Sequence, residues 1–196
     1  MTRLIAFDVD STLLRVESLD TALEAALATR EDRAAAKVRL HEITRAGMSG
    51  SMALRDSLEA RLQLAALDRD GVTSVAEQLR QRLTPGMAPL LRKLRERGDS
   101  LHAVSGGFAD LLEPVLGDLG FGHGDIHANR FVWDADRVSG LDTGYPLSRN
   151  GGKAEILNTI PPSPAEATMA GHGSTDFAYP MAVPPDGLNA RVRIPK

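Results

Sequence analysis

Leu4-Ile5-Ala6-Phe7-Asp8-Val9-Asp10-Ser11-Thr12 opens on four apolar residues and stops at two aspartates spaced two apart. A short apolar run that ends in a polar loop predicts a buried strand. The pattern returns twice. Leu101 to Val104 run into Ser105-Gly106-Gly107, and Ala167 to Ala170 run into Gly171-His172-Gly173. Phe108 to Leu119 carries apolar residues at helical spacing, and Leu90 to Arg97 closes at Gly98 in the manner of a C-capped helix. Strand and helix in alternation predict an α/β fold with a doubly wound parallel sheet. In such sheets ligands sit at the carboxyl ends of the strands. The three polar strand ends are therefore expected to converge.

The stretch from Glu17 to about Leu83 differs from this core. It is rich in Ala, Leu, Arg and Glu with little β-branched content, which predicts a helical insertion, and Ser74 with Glu77 offers a capping box. Thr84-Pro85-Gly86 punctuates the return to the core. Asn129 to Leu141, with a turn near Asp134-Ala135-Asp136, predicts a β-hairpin. Pro161-Pro162-Ser163-Pro164 reads as a rigid loop between a helix and the third strand.

Composition narrows the function classes. The 196 residues carry a net charge of −3 with acidic and basic side chains interspersed. That distribution lacks the concentrated positive field that nucleic acid or anionic membrane requires. Cysteine is absent, which excludes disulfides, thiolate metal sites and a cysteine nucleophile. No apolar run reaches the length of a signal h-region or a membrane span. The expectation is a soluble, unprocessed, cytoplasmic protein.

The polar strand ends carry the candidate chemistry. Asp8 and Asp10, two apart at a strand end, project their carboxylates toward the same side and suit a shared cation; a turn capped by two loop aspartates gives the same spelling. Ser105 with Gly106 and Gly107 supplies a hydroxyl and freely oriented N–H groups for a phosphate cradle at a helix start, or simply a strand-to-helix turn. Lys153 follows Gly151-Gly152 and opens a helix over Ala154 to Ile160. A lysine there neutralises phosphoryl oxygens and holds a neighbouring carboxylate anionic, unless it is only a solvated surface charge.

Taken together, Asp8-Val9-Asp10-Ser11-Thr12, Ser105-Gly106-Gly107-Phe108, Lys153 and Gly171-His172-Gly173-Ser174-Thr175-Asp176 resemble the four motifs of the haloacid dehalogenase-like hydrolases, in their phosphoserine phosphatase branch. The likeness runs from Ile5 to about Phe177 and implies a Rossmann-like core, 1–14 and 84–196, with a helical cap domain, 15–83, inserted after the first strand. It implies that Asp8 attacks phosphorus, that Asp10 protonates the leaving oxygen and then activates water, and that Ser105 and Lys153 hold the phosphoryl group. A carboxylate nucleophile splits hydrolysis into two steps, and an adjacent acid avoids expulsion of a bare alkoxide.

The resemblance also implies a magnesium site formed by Asp8, the backbone carbonyl of Asp10 and the first Asp of the fourth motif, where this chain carries His172. Magnesium prefers oxygen donors, so an imidazole removes a charge and offers a softer nitrogen. Three outcomes are open: a preference shifted toward manganese or another divalent metal, Asp176 as direct ligand, or a phosphate-binding fold that has lost turnover. In the cap, Glu17 matches the glutamate that meets the substrate amino group, Arg61 the arginine that takes its carboxylate, and Met48 an apolar contact of the same pocket, with Gly106 contributing at the cradle. Each has a plainer reading, as helix first turn, surface charge and ordinary core. Leu54 stands where relatives carry Phe, which loosens the pocket.

The substrate implied is a small phosphorylated metabolite, O-phospho-L-serine, hydrolysed in serine biosynthesis. The alternatives are a phosphatase for another small metabolite and a catalytically impaired relative that binds a phosphorylated amino acid or a protein partner. Past the fourth motif the chain passes through Pro180, Pro184 and Pro185. A shortened final layer is expected there, with Asn189 to Ile194 as a last edge strand.

Overall fold

The opening apolar run is a strand, β1 (Leu4–Phe7), buried at every residue. The computed structural model describes residues 3–160 and 167–171. The remaining strands are β2 (Ser100–Phe108), β3 (Ile126–Asn129), β4 (Phe131–Asp134), β5 (Arg137–Leu141) and β6 (Ala167–Ala170). The helices are α1 (Ser18–Leu27), α2 (Arg33–Ser49), α3 (Leu54–Leu64), α4 (Arg69–Leu79), α5 (Met87–Glu96), α6 (Ala109–Asp118) and α7 (Gly152–Thr159). Fourth-motif residues His172 and Asp176 and the expected edge strand 189–194 lie outside the described residues.

Four strands form one parallel sheet in the order β3-β2-β1-β6. β1 pairs with β2 from Leu4↔Ser100 to Phe7↔Ala103 and with β6 from Leu4↔Ala167 to Phe7↔Ala170. The chain thus builds outward from β1 in one direction through β2 and β3, then returns to add β6 on the other side of β1. A sheet crevice opens at such a reversal of strand order, and Asp8 stands at that end of β1. Ile5 and Phe7 join one core with Leu101, Ala103 and Leu111, while Leu4 and Ala6 join a second with Val104, Leu147 and Ile156. Burial of both sheet faces explains why the run is apolar without alternation.

Helices α1 to α4 occupy the stretch read as an insertion. The outgoing and returning backbones are joined at its root. Leu14 and Leu83 form an antiparallel bridge, Arg15 N–H donates to the Arg82 carbonyl at 2.8 Å, and Thr84 N–H donates to the Leu13 carbonyl at 2.8 Å. The Thr84 hydroxyl adds a bond to the Thr12 carbonyl at 2.7 Å. The capping box read at Ser74 and Glu77 is not used. α4 starts five residues before Ser74, at Arg69, because Asp68 caps it by accepting from Gly71 N–H at 2.8 Å.

β2 also differs from expectation. It does not stop at Val104 but continues through Ser105-Gly106-Gly107 to Phe108, with a register shift against β3 between Val104 and Phe108. The glycines make a bulge at the strand end instead of the first turn of α6, which begins at Ala109. Bulges of this kind re-aim a strand near a site. The hairpin of β4 and β5 forms as read, turning at Ala135, whose φ is +48°.

Gly152 has a packing reason. A Cβ there would overlap the Pro146 carbonyl, with Leu147 Cα also in the way. All these atoms are backbone, so neither side yields cheaply. Gly152→Ala is expected to destabilise the fold by about 3 kcal/mol, at the upper end of overpacking costs. Denaturant unfolding of the two proteins checks it, and an unchanged midpoint would contradict this account of the α7 start.

Candidate active site

Asp8 is the first residue past β1, and its N–H continues the pairing to β6 by donating to the Ala170 carbonyl at 2.9 Å. Its carboxylate is buried. Oδ1 accepts from Val9 N–H at 3.0 Å and lies 2.9 Å from Lys153 Nζ, with both side chains no more than 16% exposed. Lys153 is delivered by the first turn of α7, after Gly151 turns the backbone with φ +81°. The sequence separates the two residues widely, and the parallel sheet brings them into contact.

After Asp8 the chain makes one wide turn, Val9–Leu13, closed by Leu14 N–H donating to the Val9 carbonyl at 2.9 Å. Ser11 adopts a left-handed conformation within it, φ +55°. The turn places Asp10 against the start of α1. Its Oδ1 accepts from Ser18 N–H at 2.9 Å and its Oδ2 from the Ser18 hydroxyl at 3.0 Å. Burial pushes the Asp10 carboxyl up to about 7, and the negative charge of Glu17 pushes the same way. The two bonds from Ser18 oppose this, and the charge of Asp8 adds a further rise. Two carboxylates two residues apart thus occupy different surroundings. Asp8 sits against the ammonium group of Lys153, whereas Asp10 sits where it gains and loses a proton near neutrality.

The β2 bulge meets this turn. A Cβ on Gly107 would lie 2.9 Å from both Asp10 Oδ2 and the Ser18 hydroxyl oxygen, so only glycine lets β2 approach. Ser105 is buried, and its hydroxyl accepts from Gly107 N–H at 2.9 Å. The Asn129 amide nitrogen, fully buried at the end of β3, donates to the Gly106 carbonyl at 2.8 Å and to the Leu147 carbonyl at 3.3 Å. It ties the bulge to the segment packed under Gly152.

Of the residues expected to meet substrate in the helical stretch, Glu17 precedes α1, Met48 lies on α2 and Arg61 on α3. Glu17 accepts from the Ser11 hydroxyl at 2.7 Å, which sets it beside the Asp10 turn. Arg61 pairs with Asp20, Nη1 to Oδ1 at 3.0 Å, and its side chain is 12% exposed; the surface-charge reading of Arg61 does not hold. Met48, on the last turn of α2, is 74% exposed, so it is not ordinary core. Leu54 is partly buried against the main core. Sequence reasoning did not single out Ser18 or Asp20, since each reads as a helix-start polar residue and only the folded chain reveals its partner.

Among the described residues no group of three or more His, Asp or Glu side chains is placed to hold a metal ion. Asp8 and the Asp10 backbone carbonyl offer hard oxygen donors of the type a divalent cation prefers. No helix among the described residues is long and apolar enough to cross a membrane.

Comparison with known proteins identifies the family. Residues 5–168 match the haloacid dehalogenase-like hydrolase family model. The chain is 34% identical over 176 residues to the chloroplastic phosphoserine phosphatase of Arabidopsis thaliana, a match covering 88% of this chain and 57% of that protein. It therefore spans little more than half the length of that relative. A phosphoserine phosphohydrolase-like protein from Francisella tularensis superposes with a TM-score of 0.76 at 28% identity, covering 90% of this chain and 81% of that one. A phosphoserine phosphatase solved as a phospho-aspartyl intermediate analogue superposes with a TM-score of 0.74 at 26% identity, covering 89% and 80%. With the parallel sheet, the paired strand-end aspartates and the family match over most of its length, the chain belongs to the haloacid dehalogenase-like hydrolases.

Proposed function

We propose that this chain is a phosphomonoester hydrolase of the phosphoserine phosphatase type, acting on O-phospho-L-serine through an aspartyl-phosphate. The observation that carries the reading is the pairing of two carboxyls at one strand end: Asp8 held 2.9 Å from Lys153, and Asp10 bonded to Ser18 with its carboxyl raised to about 7. In the first step an Asp8 carboxylate oxygen bonds to phosphorus as the ester P–O bond breaks, and Asp10 gives its proton to the departing serine oxygen. In the second step Asp10, now anionic, takes a proton from water as that water attacks phosphorus. Inorganic phosphate leaves and Asp8 is regenerated. Lys153 and the Ser105-Gly106-Gly107 bulge hold the phosphoryl oxygens, Glu17 receives the substrate ammonium and Arg61 its carboxylate, and residues 15–83 act as the cap that excludes bulk water.

Asp8 and the Asp10 carbonyl, with His172 or Asp176 of the fourth motif, would hold a divalent cation, which would supply charge neutralisation for the phosphoryl group. The donors present favour magnesium or manganese, and the imidazole of His172 shifts the balance toward manganese.

The test is phosphate release from O-phospho-L-serine by the full chain with each metal, beside His172→Asp. Release by the unmodified chain is expected with manganese, and the variant is expected to raise the magnesium-supported rate by about tenfold, the scale of a repaired metal shell. Release only from His172→Asp would identify a binding scaffold disarmed at its metal. No release from either protein would overturn the phosphatase reading.

A further inference from the structure

We propose that Asp20 is a positioning residue that fixes Arg61 for a substrate carboxylate, and so sets the preference for phosphomonoesters that carry one. The inference rests on the reading of Arg61 given above and adds a residue to it. Asp20 is in the first turn of α1, three residues after Glu17, which caps the start of that helix. Glu17 itself bonds Ser11 beside the Asp10 turn. The Asp20–Arg61 pair therefore stands about one helical turn from the reacting end of the site, roughly 5 Å along α1.

The pair is built into the cap. Arg61 Nη1 lies 3.0 Å from Asp20 Oδ1, and the two side chains are 12% and 15% exposed. Thr44 of α2 donates its hydroxyl to both Asp20 oxygens at 3.3 Å. On its other side Arg61 donates Nε–H to the Ser57 carbonyl at 3.3 Å, and the Ser57 hydroxyl donates to the Ile43 carbonyl at 3.1 Å. Asp20 of α1 thus holds the guanidinium that α3 supplies, and α2 braces Asp20 through Thr44 and Ser57 through the Ile43 carbonyl. These contacts use Nε and one Nη1 proton, and the remaining N–H groups of the planar fork suit a carboxylate.

Asp20 acts on ligand binding in two opposed ways. Its charge repels an incoming carboxylate, and its grip removes the rotamer freedom that a long side chain otherwise loses on binding. The second effect wins here because the pair is mostly buried and Asp20 is itself braced by Thr44 of α2, so an Arg61 released from Asp20 loses the partner outside its own helix that fixes the end of its guanidinium. Asp20 needs only an acceptor oxygen for this task, so asparagine serves where alanine does not.

The test uses the full chain carrying Asp8→Asn, which binds without turning over, and two probes that differ only in the carboxylate: O-phospho-L-serine and O-phosphoethanolamine. Calorimetry gives a selectivity ratio, the Kd of phosphoethanolamine over that of phosphoserine. Asp20→Ala is expected to lower the ratio about tenfold and leave the phosphoethanolamine Kd within about twofold, whereas Asp20→Asn keeps the ratio within about threefold. General loosening of the fold would weaken both probes alike. A ratio that holds or rises in Asp20→Ala, while Arg61→Ala collapses it toward one, overturns the positioning role alone. A ratio unmoved by Arg61→Ala, or no binding of either probe, overturns the underlying reading of the pocket and this inference with it.

Discussion

Asp8→Asn is expected to lower phosphate release from O-phospho-L-serine by at least about 10⁴-fold, the scale on which removal of a nucleophile acts when the rest of a site stays in place. The amide cannot bond to phosphorus as a carboxylate does, so the acyl phosphate never forms. Little else changes. Asn keeps the oxygen that accepts from Val9 N–H and faces Lys153, and it matches Asp in shape. What is lost is the counter-charge of a lysine that is only 16% exposed, a cost of about 1–2 kcal/mol for a pair that keeps one hydrogen bond. The variant should stay folded and keep its ligand, which separates a chemical defect from a structural one. Phosphate assay and unfolding midpoint, measured on the same preparation, check both parts. Activity within tenfold of the unmodified chain would remove Asp8 as nucleophile.

Much of this site was legible before any fold was seen, for a physical reason. Strands buried on both faces are mostly apolar, so the points where that run breaks stand out: Asp8 and Gly171 just past their strands, and Ser105 at the bulge inside β2. Parallel pairing then forces those ends to one side of the sheet. The contact between Asp8 and Lys153 follows from topology once β6 pairs with β1 and α7 precedes it. Polar partners were less legible. Ser18 reads as a helix-start serine, yet both its N–H and its hydroxyl serve Asp10. Asp20 reads as an ordinary first-turn acid favoured by the helix dipole, yet it anchors Arg61. Nothing in the local spelling distinguishes an acid that faces water from one that faces a guanidinium thirty or more residues away. The reading of Ser74 with Glu77 failed in the opposite direction. The spelling was right for a helix start, but Asp68 offered a cap earlier in the chain, and the longer helix buries Val72 as well as Val75 and Leu79.

Asp10→Asn carries the clearest opposition between activity and stability. Its activity is expected to fall by about 10²–10⁴-fold, the usual contribution of a placed acid and base, because the amide neither gives a proton to serine nor takes one from water. Its stability is expected to rise. The sign follows from the titration of Asp10. An ordinary Asp loses its proton near 3.8, whereas this one holds it up to about 7, so the folded chain binds that proton more tightly than the unfolded chain. The group's contribution is therefore complete below pH 3.8, declines as pH rises, and reaches its full penalty above pH 7. Asn pays no such penalty and keeps an acceptor for Ser18 N–H. The gain from the substitution should be near zero at pH 4 and grow to ~2 kcal/mol at pH 8, a figure reduced from the full shift because Asp10 is partly exposed. Denaturant unfolding at the two pH values, with chelator present so that no cation biases the folded state, measures it directly. A variant less stable than the unmodified chain at pH 8 would mean that the two Ser18 bonds outweigh burial, and that Asp10 is an anion at rest instead of an acid waiting to donate.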